Sequence, residues 1–160
     1  MIENQDPPYR VSIERIREAQ RELDHLLCEH YQLTEATYLD HPCRVDFNRW
    51  TQMEDAGEFF VVAARIEGTL VGYFLWFVLP STHMEARIGV EDAQYVGSRF
   101  RGRGIAKAML HVAESELVRR GCSYAFISSK HFVGGPNLEQ YLQREGYRPI
   151  ASVHCKNLEK

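Results

Sequence analysis

Tyr95-Val96-Gly97-Ser98-Arg99-Phe100-Arg101-Gly102-Arg103-Gly104-Ile105-Ala106 is the stretch that decides how this chain folds. It follows a run of strand-forming residues. After it, Ala106, Leu110, Ala113 and Leu117 form an apolar stripe at helical spacing, flanked by Lys107, His111 and Glu114. The twelve residues therefore join a strand to a helix. Without Cβ atoms at Gly102 and Gly104 the backbone can turn sharply and approach a ligand, and the first amides of the helix have no intrahelical acceptor. Those amides, the positive end of the helix dipole and three nearby arginines suit an anion, and a pyrophosphate is the natural occupant.

Two other phosphate loops are excluded by single residues. A Walker loop ends in Gly-Lys-Ser/Thr, whereas Gly104 is followed by Ile105 and Ala106, with neither the lysine nor the magnesium-binding hydroxyl. The dinucleotide fingerprint needs a third glycine three residues after Gly104, where Lys107 stands, and no βαβ unit opens the chain.

Outward from the loop, Ile16, Ala19, Leu23, Leu26 and His30 recur at helical spacing and predict a first helix from Ser12, with Ser12 as its N-cap. His41-Pro42 marks a break, and a second helix is expected over Phe47 to Asp55, ended by Gly57. Phe59 to Arg65 and Leu70 to Leu79 are β-branched and aromatic runs around Glu67-Gly68, which predicts an antiparallel hairpin. A further strand ends near Val96, and the helix after it runs from Gly104 to Arg120, closed by Gly121. Then follow a strand over Ser123 to Ser129, a helix over Asn137 to Arg144 ended by Gly146, and a last strand over Tyr147 to Cys155, interrupted by Pro149. Strands that alternate with helices only in the second half imply a mixed sheet with one parallel crossover around the Gly104 helix.

The whole chain bounds this picture. Its 160 residues suit one domain over residues 1–160, with 44% apolar and 26% charged residues and no low-complexity tract. A net charge of -3 argues against a protein that coats nucleic acid. Cys28, Cys43, Cys122 and Cys155 lack C-x-x-C spacing and the N-terminus lacks a secretory layout, so reduced thiols in a cytoplasmic protein are expected. The longest apolar run, Leu70 to Pro80, is about half a membrane span. Neither His25 with Cys28 nor His41 with Cys43 has recognised zinc spacing, so no metal is expected. Of the aromatic residues Tyr73, Phe74, Trp76 and Phe77, one face is read as core and the other as covered by a helix or by a second copy in a homodimer.

Arg99-Phe100-Arg101-Gly102-Arg103-Gly104 resembles the Arg/Gln-x-x-Gly-x-Gly/Ala signature of the GNAT superfamily of N-acyltransferases, and Tyr141-Leu142-Gln143-Arg144-Glu145-Gly146-Tyr147 resembles the superfamily's closing segment. The resemblance covers about Phe59 to Cys155. It implies an α/β (α+β) fold: a mixed, mostly antiparallel sheet of about six to seven strands flanked by helices, with a splay between the fourth and fifth strands. It also implies an N-acetyltransferase that uses acetyl-coenzyme A and acts on a primary amine, in a small molecule or a protein. The pyrophosphate would lie on Arg99, Arg101, Gly102, Arg103, Gly104, Ile105 and Ala106, and an amide of Tyr95 or Val96 would polarise the thioester carbonyl.

A lysine-like amine, with a pKa of ~10.4, is protonated at neutral pH, so a base is needed. Glu91 and Asp92 rank first, as residues at this depth of the corresponding strand often serve in proteins the chain resembles; Glu85, His83 and His30 are further candidates. Many members place a tyrosine as general acid where this chain has Leu142. Tyr141 is one residue off, about 100° around the helix, and is read as core packing; the leaving thiolate then departs without an acid or uses Tyr95 or Tyr147. Two rival readings are a non-catalytic coenzyme A sensor, suggested by the missing tyrosine, and a nucleic-acid binder using Arg99, Arg101 and Arg103, which the acidic balance disfavours.

Overall fold

The computed structural model describes residues 8–129 and 137–158. Five strands form one sheet in the order β1-β2-β3-β4-β5: β1 Arg10–Glu14, β2 Phe59–Ile66, β3 Thr69–Pro80, β4 Arg87–Val96 and β5 Cys122–Phe126. All neighbours are antiparallel except β4 and β5, which are parallel. Helices α1 Ile16–Leu33 and α2 Phe47–Asp55 precede β2, α3 Ile105–Arg119 makes the parallel crossover, and α4 Leu138–Arg144 follows β5. Among the described residues no helix is long and apolar enough to cross a membrane.

The unbroken apolar runs of β2 and β3 follow from burial on both faces. Phe59, Val61 and Ala63 pack with the stripe of α1 and with Phe47 of α2, while Phe60, Val62 and Ala64 meet Ile105, Met109, Leu110, Ala113 and Leu117 of α3. The β2–β3 turn places both Glu67 and Gly68 at positive φ, 48° and 82°, as a two-residue hairpin of this twist requires. Close packing of α3 depends on Gly89 of β4, where a Cβ would lie 2.4 Å from Leu117 Cδ2.

Three expectations need correction. Ser12 caps no helix: it lies in β1 opposite Ala63, and α1 begins at Ile16 after Arg15. Arg10, Ser12 and Glu14 alternate with Val11 and Ile13, the period of a strand. With no local side-chain cap, α1 takes its N-terminal acceptor from α2, where Glu54 Oε1 accepts from the Ile16 amide at 3.0 Å and Oε2 pairs with Arg15 Nε at 3.1 Å. The expected strand over Tyr147 to Cys155 is not a strand. Pro149 offers no amide for a ladder, Ile150 and Val153 are exposed, and the sheet has five strands where six or seven were anticipated.

Candidate active site

The site begins where the sheet comes apart. The β4–β5 ladder ends at Val90 and Phe126, yet β4 continues beside β3 from Glu91 to Val96 with no partner across its other edge among the described residues. Within that stretch the β3 pairing slips: Leu75 faces Ala93 but Trp76 faces Glu91, so Asp92 is the extra residue of a bulge. Gly97 N–H donates to Val71 O at 2.9 Å. By the antiparallel alternation the amides of Tyr95 and Ala93 also turn toward β3, and those of Gln94 and Val96 turn toward the gap. Of the two amides proposed for the thioester carbonyl, Val96 is therefore the one at the open edge.

The loop that follows presents the first backbone amides of α3. Gly102 and Gly104 have φ of 76° and 80°, and Gly104 is the N-cap. The first helical bond runs from Ala108 N–H to Gly104 O, so the amides of Ile105, Ala106 and Lys107 precede the helix's own ladder. A Cβ on Gly104 would meet Tyr9 Oη at 3.3 Å. These donors and the bare backbone fit a diphosphate. The three arginines are not equivalent. Arg101 donates from Nε to Val96 O at 2.9 Å and lies 5.5 Å from the Tyr95 ring centroid. Arg103 donates to Arg99 O at 3.4 Å and covers Phe100. Both side chains brace the loop, while Arg99 borders a smaller cavity beside His25 and Glu29 of α1.

A cleft of about 720 Å³ passes the open edge of β4. The start of α3 with Gly102 and Gly104 forms one wall, α4 with Tyr141 and Arg144 a second, and Gln94, Tyr95 and Val96 its floor; His30, Leu33 and Thr34 close the α1 end. Tyr141 packs against the core on the α3 face, as read, and also lines the cleft, while Leu142 is 6% exposed and lies in the core. The Tyr141 hydroxyl is buried with no partner among the described residues, and burial pushes its pKa up to about 12, so it stays a donor. Tyr147 instead donates to Glu114 Oε1 at 3.0 Å and moors the chain to α3.

The candidate bases separate in space. Glu91 shares the α3 face with Trp76, and its Oε2 accepts from the Ser128 amide at 3.1 Å. Asp92 is exposed on the bulge and acts on the other face, where burial first, then the charges of Glu35 and Asp92, raise the Tyr73 phenol. His83 and Glu85 are exposed in the β3–β4 turn, at the far end of β4, a strand about 30 Å long. On the α1 face, His30 Nδ1 lies 2.7 Å from Tyr73 Oη, and its ring stacks on Tyr95 at 4.7 Å and 20°. Tyr95 Oη donates to Glu29 Oε1 at 2.6 Å; burial first, then Glu29, pushes this phenol up to about 12. Tyr73 lies in the core as read; Gln94, Lys107 and Arg144 line the cleft and were not singled out for the site, since each reaches it by register or by helix placement and nothing local in the sequence marks it. Among the described residues no three His, Cys, Asp or Glu side chains gather to hold a metal ion.

Comparison with known proteins agrees with this architecture. Among solved structures, a ribosomal-protein-alanine N-acetyltransferase from Brucella melitensis biovar Abortus 2308 superposes with a TM-score of 0.72 at 21% identity, over 94% of this chain and 99% of that one. An aminoglycoside acetyltransferase, HMB0005, from an uncultured soil metagenomic sample gives 0.76 at 18% identity, over 94% and 99% of the two chains. Glucosamine-6-phosphate N-acetyltransferase from Arabidopsis thaliana gives 0.72 at 15%, again over 94% and 99%. At these identities the likeness is one of fold. No curated protein sequence matches the chain significantly. The model of the acetyltransferase (GNAT) family matches residues 20–134, most of the 160-residue length, and the chain belongs to that family.

Proposed function

We propose that the protein transfers an acetyl group from acetyl-coenzyme A to a primary amine by direct attack, with both substrates in the cleft. One observation carries this reading: a cleft passes from the start of α3, along the edge of β4 that pairs with no strand among the described residues, to the polar end of α1. The amides of Ile105, Ala106 and Lys107 hold the pyrophosphate, and the Val96 amide faces the thioester carbonyl. The coenzyme supplies an activated acyl group. The amine nitrogen bonds to the carbonyl carbon as the carbon–sulfur bond breaks, and the Tyr141 hydroxyl gives its proton to the departing sulfur. The amine's own proton leaves on the α1 face, where Asp92 and His30 stand.

The test is calorimetric titration with acetyl-coenzyme A, followed by turnover on a panel of amines: sisomicin, glucosamine 6-phosphate and a peptide with an N-terminal alanine. The three follow molecules named with structural neighbours: sisomicin in complex with an aminoglycoside acetyltransferase, glucosamine 6-phosphate, and the alanine of a ribosomal protein. Saturable binding with turnover of any panel member supports the reading. A folded protein that does not bind acetyl-coenzyme A overturns it.

A further inference from the structure

We propose that His30, held in one orientation by Tyr73, is the group that takes the proton from the acceptor amine. This assignment rests on the acyl-transfer reading above and names the base that reading leaves open.

His30 continues the buried stripe of Ile16, Leu23, Leu26 and Leu27, where an apolar residue would pack equally well. It is only 8% exposed, yet it lines the cleft at the end away from the anion site. An imidazole in such a place is costly unless its polar atoms are satisfied. Tyr73, 0% exposed, meets that need at Nδ1, and the Tyr95 ring lies against the imidazole face, so the ring is fixed by an edge contact and a face contact. With Nδ1 on Tyr73, the assignment gives proton exchange with the cleft to Nε2.

Position and chemistry then select His30 over its neighbours. Tyr73 and Tyr95 are paired across β3 and β4 two residues beyond Ala93, beside the bulge, so His30 stands over the segment whose Val96 amide faces the gap. Both phenols are held protonated by burial, whereas imidazole is the side chain whose ordinary range spans neutrality. Charged groups near the trio include Glu29 on the Tyr95 hydroxyl, Glu35 and Asp92 acting on Tyr73, and Arg101 over the Tyr95 ring. Glu91, by contrast, accepts from the Ser128 amide on the opposite face.

In the step itself, His30 Nε2 takes one proton from the ammonium, the freed amine's N–C bond forms as the C–S bond breaks, the sulfur receives a proton from Tyr141, and the second proton shed by the acylated nitrogen passes through water to restore the Tyr141 phenol. For this, the resting tautomer carries hydrogen on Nδ1 and donates it to Tyr73 Oη. Tyr73 is a positioning residue: it holds the imidazole in one orientation and does not touch the amine.

Two measurements on the full chain test the assignment. Long-range 15N–1H spectra of histidine-labelled protein, with the His30 signal identified by its loss in His30→Gln, should show the Nδ1–H tautomer near neutral pH, and Tyr73→Phe should mix the two tautomers. An Nε2–H tautomer in the wild type overturns the proposal without reference to turnover. With acetyl-coenzyme A and the best amine of the panel, His30→Gln should lower kcat/KM about 10²-fold or more at pH 7. The deficit should shrink as the pH approaches 10, where the amine loses its proton unaided, and acetyl-coenzyme A affinity should not change. A folded His30→Gln protein with the wild-type pH profile overturns the proposal alone; binding of acetyl-coenzyme A by wild type with no turnover of any panel amine overturns the acyl-transfer reading and this assignment with it.

Discussion

Neighbours on a helix point about 100° apart, and on α4 that rotation puts Leu142 in the core and Tyr141 in the cleft. The family's usual tyrosine position is thus occupied by a packing residue, and in the proposed reaction the phenol comes from one residue earlier. Tyr141→Phe should lower kcat by roughly 10-fold to 10²-fold while the affinity for acetyl-coenzyme A, read by calorimetry, stays within about twofold. Because burial lifts this phenol to about 12, its ionisation should cause no loss of rate below about pH 11. At the other wall, Gly104→Glu places a side chain at φ 80° and a negative charge among the amides that would hold the pyrophosphate. The expected outcome is a folded protein with no measurable coenzyme binding, checked by calorimetry alongside circular dichroism.

At the scale of elements, α1 depends on other parts of the chain at both ends of its packing. Glu54, with a side chain 5% exposed, caps it from α2, and Arg65 of β2 ties Glu14 of β1 to Glu22 on α1. Glu54→Ala should cost about 1–3 kcal/mol in urea unfolding, and Glu54→Gln less, since the amide oxygen still accepts from Ile16. Gly89→Val should cost a similar amount by driving α3 away from β4, because Leu117 is 3% exposed and has no room to yield. Neither dependence was visible in the sequence. The long runs of β2 and β3 and the stripe of α3 were legible because burial on both faces of the sheet leaves an unmistakable pattern. β1 was not, since five half-polar residues next to a helix read as its first turn.

Across the whole molecule, titration sets a window of stability. Burial raises Glu22, but the Leu70 amide and Arg65 outweigh it; Arg119 and Arg120 hold Glu116 down against its burial. Depressed carboxyls contribute stability above the usual carboxylate range that is lost as the pH falls through their folded values. The phenols of Tyr95 and Tyr141, raised to about 12, contribute stability that is complete below about pH 10 and fades as the pH climbs toward 12. Tm should therefore hold a plateau across neutrality and fall on both sides, the alkaline fall being smaller in Tyr141→Phe. Of the site, the turn into α3 was legible because glycines, arginines and a helix start form one local pattern. The cleft's far end was not: the His30–Tyr73 contact joins residues 43 apart, and the bulge at Asp92 is a property of how two strands are aligned, which no single stretch encodes.

The one-sided edge of β4 has a further consequence, in time rather than shape. Backbone hydrogens of Ala93 and Tyr95, locked into β3, should exchange with deuterated water slowly, while those of Gln94 and Val96, between them in the same strand, should exchange fast. Adding acetyl-coenzyme A should slow only the fast pair, so two atoms in one strand would report the arrival of the substrate that completes the sheet.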